Sequence, residues 1–265
     1  MRRDYLRRSI RISAAFVASF LLVGTGALGE VVQKGDVRVT FLSQISPYRL
    51  PRSEPAPIKV FVAGHVASTT GGVPPQLQRM KIEVNRHGLL RSAGLPSCRI
   101  PQIRTASTAA ALEACGPALI GSGRFWAHIV LADQPAYPTQ GRMLIFSGRE
   151  GSRQMVLVHI FTASPFPSSF VIPFTVSRTR GGTYGTTLTA PLPQALGDWG
   201  YVDRIKLNLG REYRIRGRKL SYFNATCPAL PGADRAAFPV ARTVFYFEGR
   251  KPLPMIVNKA CGVRE

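Results

Sequence analysis

The chain has 265 residues, 45% of them hydrophobic, and carries 35 Lys and Arg against 14 Asp and Glu, a formal net charge of +21. A single long apolar run, at the N-terminus, excludes a multi-span helical membrane protein; the remainder is expected to be soluble or peripheral and is long enough for one large β domain or two small ones. The charge favours polyanionic partners, although Arg outnumbers Lys 28 to 7, a skew that a GC-rich genome produces with no binding role.

Residues 1–29 read as a signal peptide. Arg2, Arg3, Arg7, Arg8 and Arg11 form a basic leading region, and Ile12–Gly26 is an apolar stretch too short for a bilayer span. Ala27-Leu28-Gly29 places small residues so that cleavage falls before Glu30. Arg2-Arg3-Asp4-Tyr5-Leu6-Arg7 also resembles a twin-arginine export signal.

From Glu30 onward the pattern is that of strands. Val37–Gln44 alternates weakly, Ile58–Ser68 sets Ile58, Val60 and Val62 on one face, and a Pro-rich connection (Pro47, Pro51, Pro55, Pro57) separates them. Arg79–Asn85 opposes Met80, Ile82 and Val84 to Lys81, Glu83 and Asn85, which predicts a strand with one buried face. Thr105–Cys115 is a predicted helix, capped by Thr105 or Ser107, rich in Ala and stopped by Gly116-Pro117. Leu119–Leu131, Gly141–Ser147 and Gln154–Thr162 are strands; Val156–Phe161 is apolar on both faces and is expected at the centre of a sheet. Phe170–Ser177, Tyr184–Thr189, Ala241–Glu248 and Met255–Lys259 complete about twelve strands with turn punctuation between them.

Asp203–Ser221 carries the strongest charge pattern. Ile205, Leu207 and Leu209 fall on one face of a strand, Arg204 and Lys206 on the other. A Gly-containing break then leads to a stretch read as a second strand, with Tyr213 and Ile215 opposite Arg214, Arg216 and Arg218. Read as a hairpin, these five cations form one basic face for a polyanion.

Four cysteines follow the export segment: Cys98, Cys115, Cys227 and Cys261. An even count in an exported chain argues for two disulfides, and four cysteines allow three connectivities. Cys98–Cys115 and Cys227–Cys261 are the expected pairs, each lying within one half of the chain. The spacing holds no paired-cysteine knuckle, so no zinc site is predicted.

The fold class that follows is all-β: the pattern says antiparallel sandwich or barrel, and the expected form is an antiparallel β-sandwich with one short disulfide-stapled helix. A faint echo between Met80–Asn85 and Arg204–Leu209, each preceded by a Pro- and Gln-containing connection, suggests two tandem related units. They are 30–162 and 163–265, with Ser164-Pro165-Phe166-Pro167 as linker, or the two pack as one domain. Asn85-Arg86-His87-Gly88, Gly94-Leu95-Pro96 with Cys98, Ala118–Gly123, Tyr184-Gly185-Thr186 and Leu196–Tyr201 together resemble a pattern in secreted β-rich proteins of high-GC Gram-positive (actinobacterial) bacteria. The resemblance implies export and β architecture, and no activity or site.

Chemistry is sparsely marked. His65, His87, His128 and His159 share no metal-ligand spacing, and although His128 and His159 fall within strands that can bring them together, each reads first as a core or rim histidine. There is no nucleophile elbow, phosphate loop or dinucleotide fingerprint, so no cofactor is predicted. Tyr213 and Tyr222 flank basic residues without a nucleic-acid reader motif. The functional expectation is a secreted, non-catalytic cell-envelope protein whose basic face meets anionic wall polymer or a membrane surface. The alternative is an extracellular carbohydrate-active hydrolase built around Asp198 and Trp199.

Overall fold

The computed structural model describes residues 29–130, 133–164, 166–192 and 200–264. The expected export segment lies outside this range except for Gly29, as do Asp198 and Trp199.

Strands β1 (Glu30–Lys34), β2 (Val37–Ser46), β3 (Arg49–Leu50), β4 (Ala56–Pro57), β5 (Lys59–Ser68), β6 (Leu77–Asn85) and β7 (Gly88–Leu90) precede two helices, α1 (Ile100–Ile103) and α2 (Thr108–Cys115). A meander follows: β8 (Leu119–Ile129), β9 (Tyr137–Glu150), β10 (Arg153–Thr162), β11 (Ser168–Arg178) and β12 (Tyr184–Pro191). The chain ends with β13 (Gly200–Leu209), β14 (Glu212–Ile215), β15 (Arg218–Ser221), β16 (Phe223–Ala225), β17 (Arg235–Phe247) and β18 (Leu253–Val263).

Thirteen strands make one sheet in the order β1-β2-β5-β13-β8-β9-β10-β11-β12-β6-β17-β18-β3. The pairing is antiparallel except between β18 and β3. The halves divided at 162/163 are interleaved in this sheet: β13 lies between β5 and β8, and β6 lies between β12 and β17. The sheet curls until β1 runs beside β18, where Lys259 Nζ meets Glu30 Oε1 at 3.1 Å. Val37 and Val39 then bury against Phe245, Phe247, Met255 and Val257 from the other end of the sheet. The expected all-β antiparallel fold is present, with its opposed walls formed by one large curled sheet and two smaller sheets beside it.

Curling is made possible by glycines at inward positions. A Cβ on Gly123 would sit 2.0 Å from the Lys206 carbonyl oxygen, and one on Gly141 would sit 2.0 Å from that of Phe161. Only a residue without a side chain lets neighbouring strands approach this closely while bending.

β9 and β10 are covered on both faces. Inward, Met143, Ile145, Val156, Val158 and Ile160 join the interior cluster. Outward, Leu144, Phe146, Met155 and Leu157 lie under Ile103, Ala111 and Ala118 of the helical excursion. This explains the doubly apolar run at Val156–Phe161. Fully burying side chains such as Ile103 and Phe146 contributes about 1.5–3 kcal/mol each, so the excursion is held chiefly by packing. Ser107 caps α2 by accepting a hydrogen bond from the Ala110 amide at 3.2 Å. Both expected disulfides are present, Cys98–Cys115 and Cys227–Cys261, and every cysteine is paired. That pairing suits an oxidising compartment.

Candidate ligand cavity and basic surfaces

The inward faces of the curled sheet surround a cavity of about 960 Å³, at the upper end of the roughly 300–1,000 Å³ typical of small-molecule sites. Its walls come from sequence-distant strands: Phe41 and Val62, then Ile205 and Leu207, then Phe125, Ile145 and Val158, then Ile172, Leu188 and Ile82. The alternating residues read from sequence, Met80-Ile82-Val84 and Ile205-Leu207-Leu209, all point into it.

One end of the cavity is floored by a small sheet in which β16 pairs with β4 and β7. Leu90, Phe223, Asn224 and Ala225 line that floor. Beside it Tyr222 is completely buried, and burial pushes its phenol up to about 12. Polar groups on the floor are satisfied by the protein itself: Asn224 donates to the Ser221 carbonyl at 2.8 Å, and Asn85 donates to that of Pro239 at 2.8 Å. Cys227–Cys261 ties the chain just beyond β16 to β18.

Among the described residues the other end is open and forms the mouth. There β13, β9 and β11 begin and β8, β10 and β12 end, as the registers Gly200↔Ile129, Ile129↔Tyr137 and Thr162↔Ser168 require. The connection from β5 to β6 crosses this end, and its Pro74 and Pro75 line the opening. Paired hydroxyls sit at the rim, Thr139 and Thr162 at 2.8 Å, with Tyr137 Oη 3.0 Å from Ser164 Oγ. A bulge in β13 between Val202 and Arg204 leaves Asp203 unpaired in the ladder; its carboxylate reaches His128 Nδ1 at 3.8 Å, and Tyr201 stacks on the His128 ring. Ser43 Oγ and Asp203 Oδ1 are buried without a hydrogen-bond partner among the described residues, and both residues line the cavity. The result is an apolar chamber with hydroxyls and the Asp203 carboxylate at its opening, while Ser43 lies deeper, level with Val62 and Leu207.

The five cations read as one face are divided. β13 runs between β5 and β8, not in a hairpin with the following strand. The hairpin is β14–β15, whose two-residue turn uses Arg216 (φ 47°) and Gly217 (φ 78°). The chain therefore reverses at Arg216 and does not carry Arg214, Arg216 and Arg218 along one strand face. Arg214 pairs with Lys219, Arg218 pairs with Ile215, and Arg216 sits in the turn. All three are exposed, and they lie at the floor end, where Tyr213 Oη donates to the carbonyls of Arg91 and Ala93. The signal that marks this reversal is local: a glycine at position 217 inside a supposed strand.

Arg204 and Lys206 lie instead on the outer wall, over Trp126 at 5.7 and 6.0 Å from its ring centroid. Lys206 faces Arg124 across the β13–β8 pair, and Arg124 faces Arg142 across β8–β9. Farther toward the floor end, a hollow of about 460 Å³ on the same wall is lined by Phe61, Ser122, Asn208, Lys59 and Arg211.

The histidines hold no common site. His159 is buried under the helical excursion, His128 is on the outer wall, and β9 separates their strands. Among the described residues no group of three or more His, Cys, Asp or Glu is placed to hold a metal ion, and no helix is long and apolar enough to cross a membrane. The fold and site define an all-β protein with an apolar chamber inside a curled antiparallel sheet. Comparisons with protein-family models, with curated proteins and with solved structures found no match.

Proposed function

We propose that this is a secreted, non-catalytic cell-envelope protein that holds the apolar chain of an amphiphilic lipid inside the curled sheet, with the polar head at the mouth. The observation that carries this reading is the 960 Å³ chamber, whose floor polar groups are already bonded to protein. Apolar walls with a few polar groups at one opening are what a site for an amphiphile needs. Export is supported by the two disulfides and by the basic and apolar segment at residues 1–29.

The test is titration of the secreted, disulfide-bonded protein with a monomeric fluorescent fatty acid, alongside Val62→Trp, which places an indole in the chamber between Ser43 and Leu207. The expected result is saturable binding at one or two sites, lost in Val62→Trp with the fold and thermal stability kept. If the probe does not bind and Val62→Trp instead destabilises by the ~1–3 kcal/mol of an overpacked core, the chamber is not a ligand site.

A further inference from the structure

The mouth has two sides, and one of them combines two features that point to a membrane. Val202, Tyr137 and Phe166 are 39%, 43% and 57% exposed, large apolar side chains left in water at the rim. They follow one another along the rim: Val202 of β13 opposes Ala127 on β8, Tyr137 of β9 opposes Ile129 on the same strand, and Phe166 lies between the paired ends Thr162 and Ser168. Val202 and Phe166 also line the cavity, so the exposed lip is continuous with the apolar interior.

Behind this lip on the outer wall runs a belt of cations. Arg204 is two residues down β13 from Val202 and Lys206 four, roughly 7 and 13 Å back from the lip at strand rise. Arg124 and Arg142 continue the row sideways from Lys206. Trp126 lies among them, under both Arg204 and Lys206. Among the described residues none of the four has a carboxylate partner; the adjacent Asp203 is turned to His128. Like charges facing one another across strands oppose folding, and an anionic surface relieves them. An apolar edge backed at head-group depth by cations and a Trp is the arrangement that suits a lipid–water interface.

We infer that this side of the mouth, Val202, Tyr137 and Phe166 with the belt of Arg124, Arg142, Arg204 and Lys206, docks on an anionic lipid bilayer and opens the chamber toward it. The inference rests on the chamber being a lipid site, and it names the source from which that site is loaded. The cationic hairpin tip at Arg214–Arg218 lies at the opposite end and takes no part.

Flotation of the secreted protein with vesicles of phosphatidylglycerol and phosphatidylcholine, against vesicles of phosphatidylcholine alone, tests it. Expected are binding to the anionic vesicles that weakens with salt, at least a tenfold loss in a variant with Arg124→Gln, Arg142→Gln and Lys206→Gln, and no change with Arg214→Ser, Arg216→Ser and Arg218→Ser. A variant with Phe166→Ser and Val202→Ser is expected to float less and to take up a vesicle-borne fluorescent lipid at least fivefold more slowly than the parent. Equal flotation of the belt variant and the parent, loss of flotation in the hairpin variant, or retention on isolated teichoic-acid wall with none on vesicles would each overturn the inference. A protein that binds the monomeric probe but ignores anionic vesicles keeps its lipid site and loses this docking edge. One that floats through the belt but binds no probe keeps the edge and loses the lipid site.

Discussion

His159 Nε2 lies 2.9 Å from the carbonyl oxygen of Ala106, so the buried imidazole carries its proton on Nε2 and fastens the helical excursion to β10. Nδ1 has no partner among the described residues, and a second proton there would place an uncompensated charge in the interior. Burial accordingly holds His159 below the usual histidine value, against a smaller raising effect of the Ala106 hydrogen bond. His87 is lowered too, by burial and then by Arg86. Folded values below the unfolded ones mean that the unfolded chain binds protons first as pH falls. Their stabilisation is therefore complete above about pH 6.5 and is lost below it, as pH falls through the lowered folded values. Thermal unfolding between pH 7.5 and 5 is expected to show Tm falling below about 6.5. Replacing His159 with Gln should flatten that fall; an equally steep fall in His159→Gln would place the acid sensitivity elsewhere.

A second acid step is expected lower. Glu83 is held below the usual carboxylate range by its hydrogen bond to Arg242 and, more weakly, by Lys81. A lowered carboxylate stabilises above its unfolded value and ceases to do so as pH falls through the folded one. The Tm of Glu83→Gln should lie below that of the parent at pH 7 and converge with it toward pH 3; a constant gap would mean that shape and not charge matters at this position.

Each disulfide closes a loop within one half of the chain, of 17 and 34 residues in sequence separation. Chain-entropy reasoning assigns them about 3 and 4 kcal/mol. A Cys98→Ser, Cys115→Ser variant should lose about 3 kcal/mol in chemical denaturation and expose the outer face of β9 and β10, read as binding of an apolar dye. The Cys227→Ser, Cys261→Ser variant should loosen the cavity floor and weaken fatty-acid binding in addition. Unchanged probe affinity in the second variant would show that the floor holds without its staple.

Gly123 tests the curling of the sheet directly. A methyl group there would meet the Lys206 carbonyl at 2.0 Å, so Gly123→Ala must push β8 away from β13. A loss of about 3 kcal/mol or more is expected from such an overpacked backbone contact, whereas Gly151→Ala, at an open turn position with φ 56°, should cost about 1 kcal/mol. Comparable losses at both sites would mean that the strands are not in close approach at Gly123.

Ser43 presents a buried hydroxyl to the cavity with no partner among the described residues. An unsatisfied buried polar group costs about 1–3 kcal/mol, so Ser43→Ala should raise stability by about 1 kcal/mol and leave fatty-acid binding equal or tighter. A loss of affinity with unchanged stability would instead assign the hydroxyl to the ligand.

The sequence by itself determined what depends on neighbours along the chain. Period-two alternation placed Ile82 and Leu207 on apolar faces because adjacent side chains of a strand point to opposite sides. Ser107 and the alanines after it gave the capped helix, and the position of cysteines within each half gave both disulfides. Reading Arg214, Arg216 and Arg218 as one row failed on a local feature as well, since Gly217 permits the two-residue turn that reverses the chain. Only the tertiary structure decided which strands are neighbours. The interleaving of β13 with β5 and β8, and of β6 with β12 and β17, brings together residues 71 to 170 positions apart, and no local pattern records that pairing. The cavity depends on it: an apolar strand face reads the same whether it packs against another sheet or borders a chamber. The distance between the walls is set by how many strands share one curled sheet and by the glycines that let it bend.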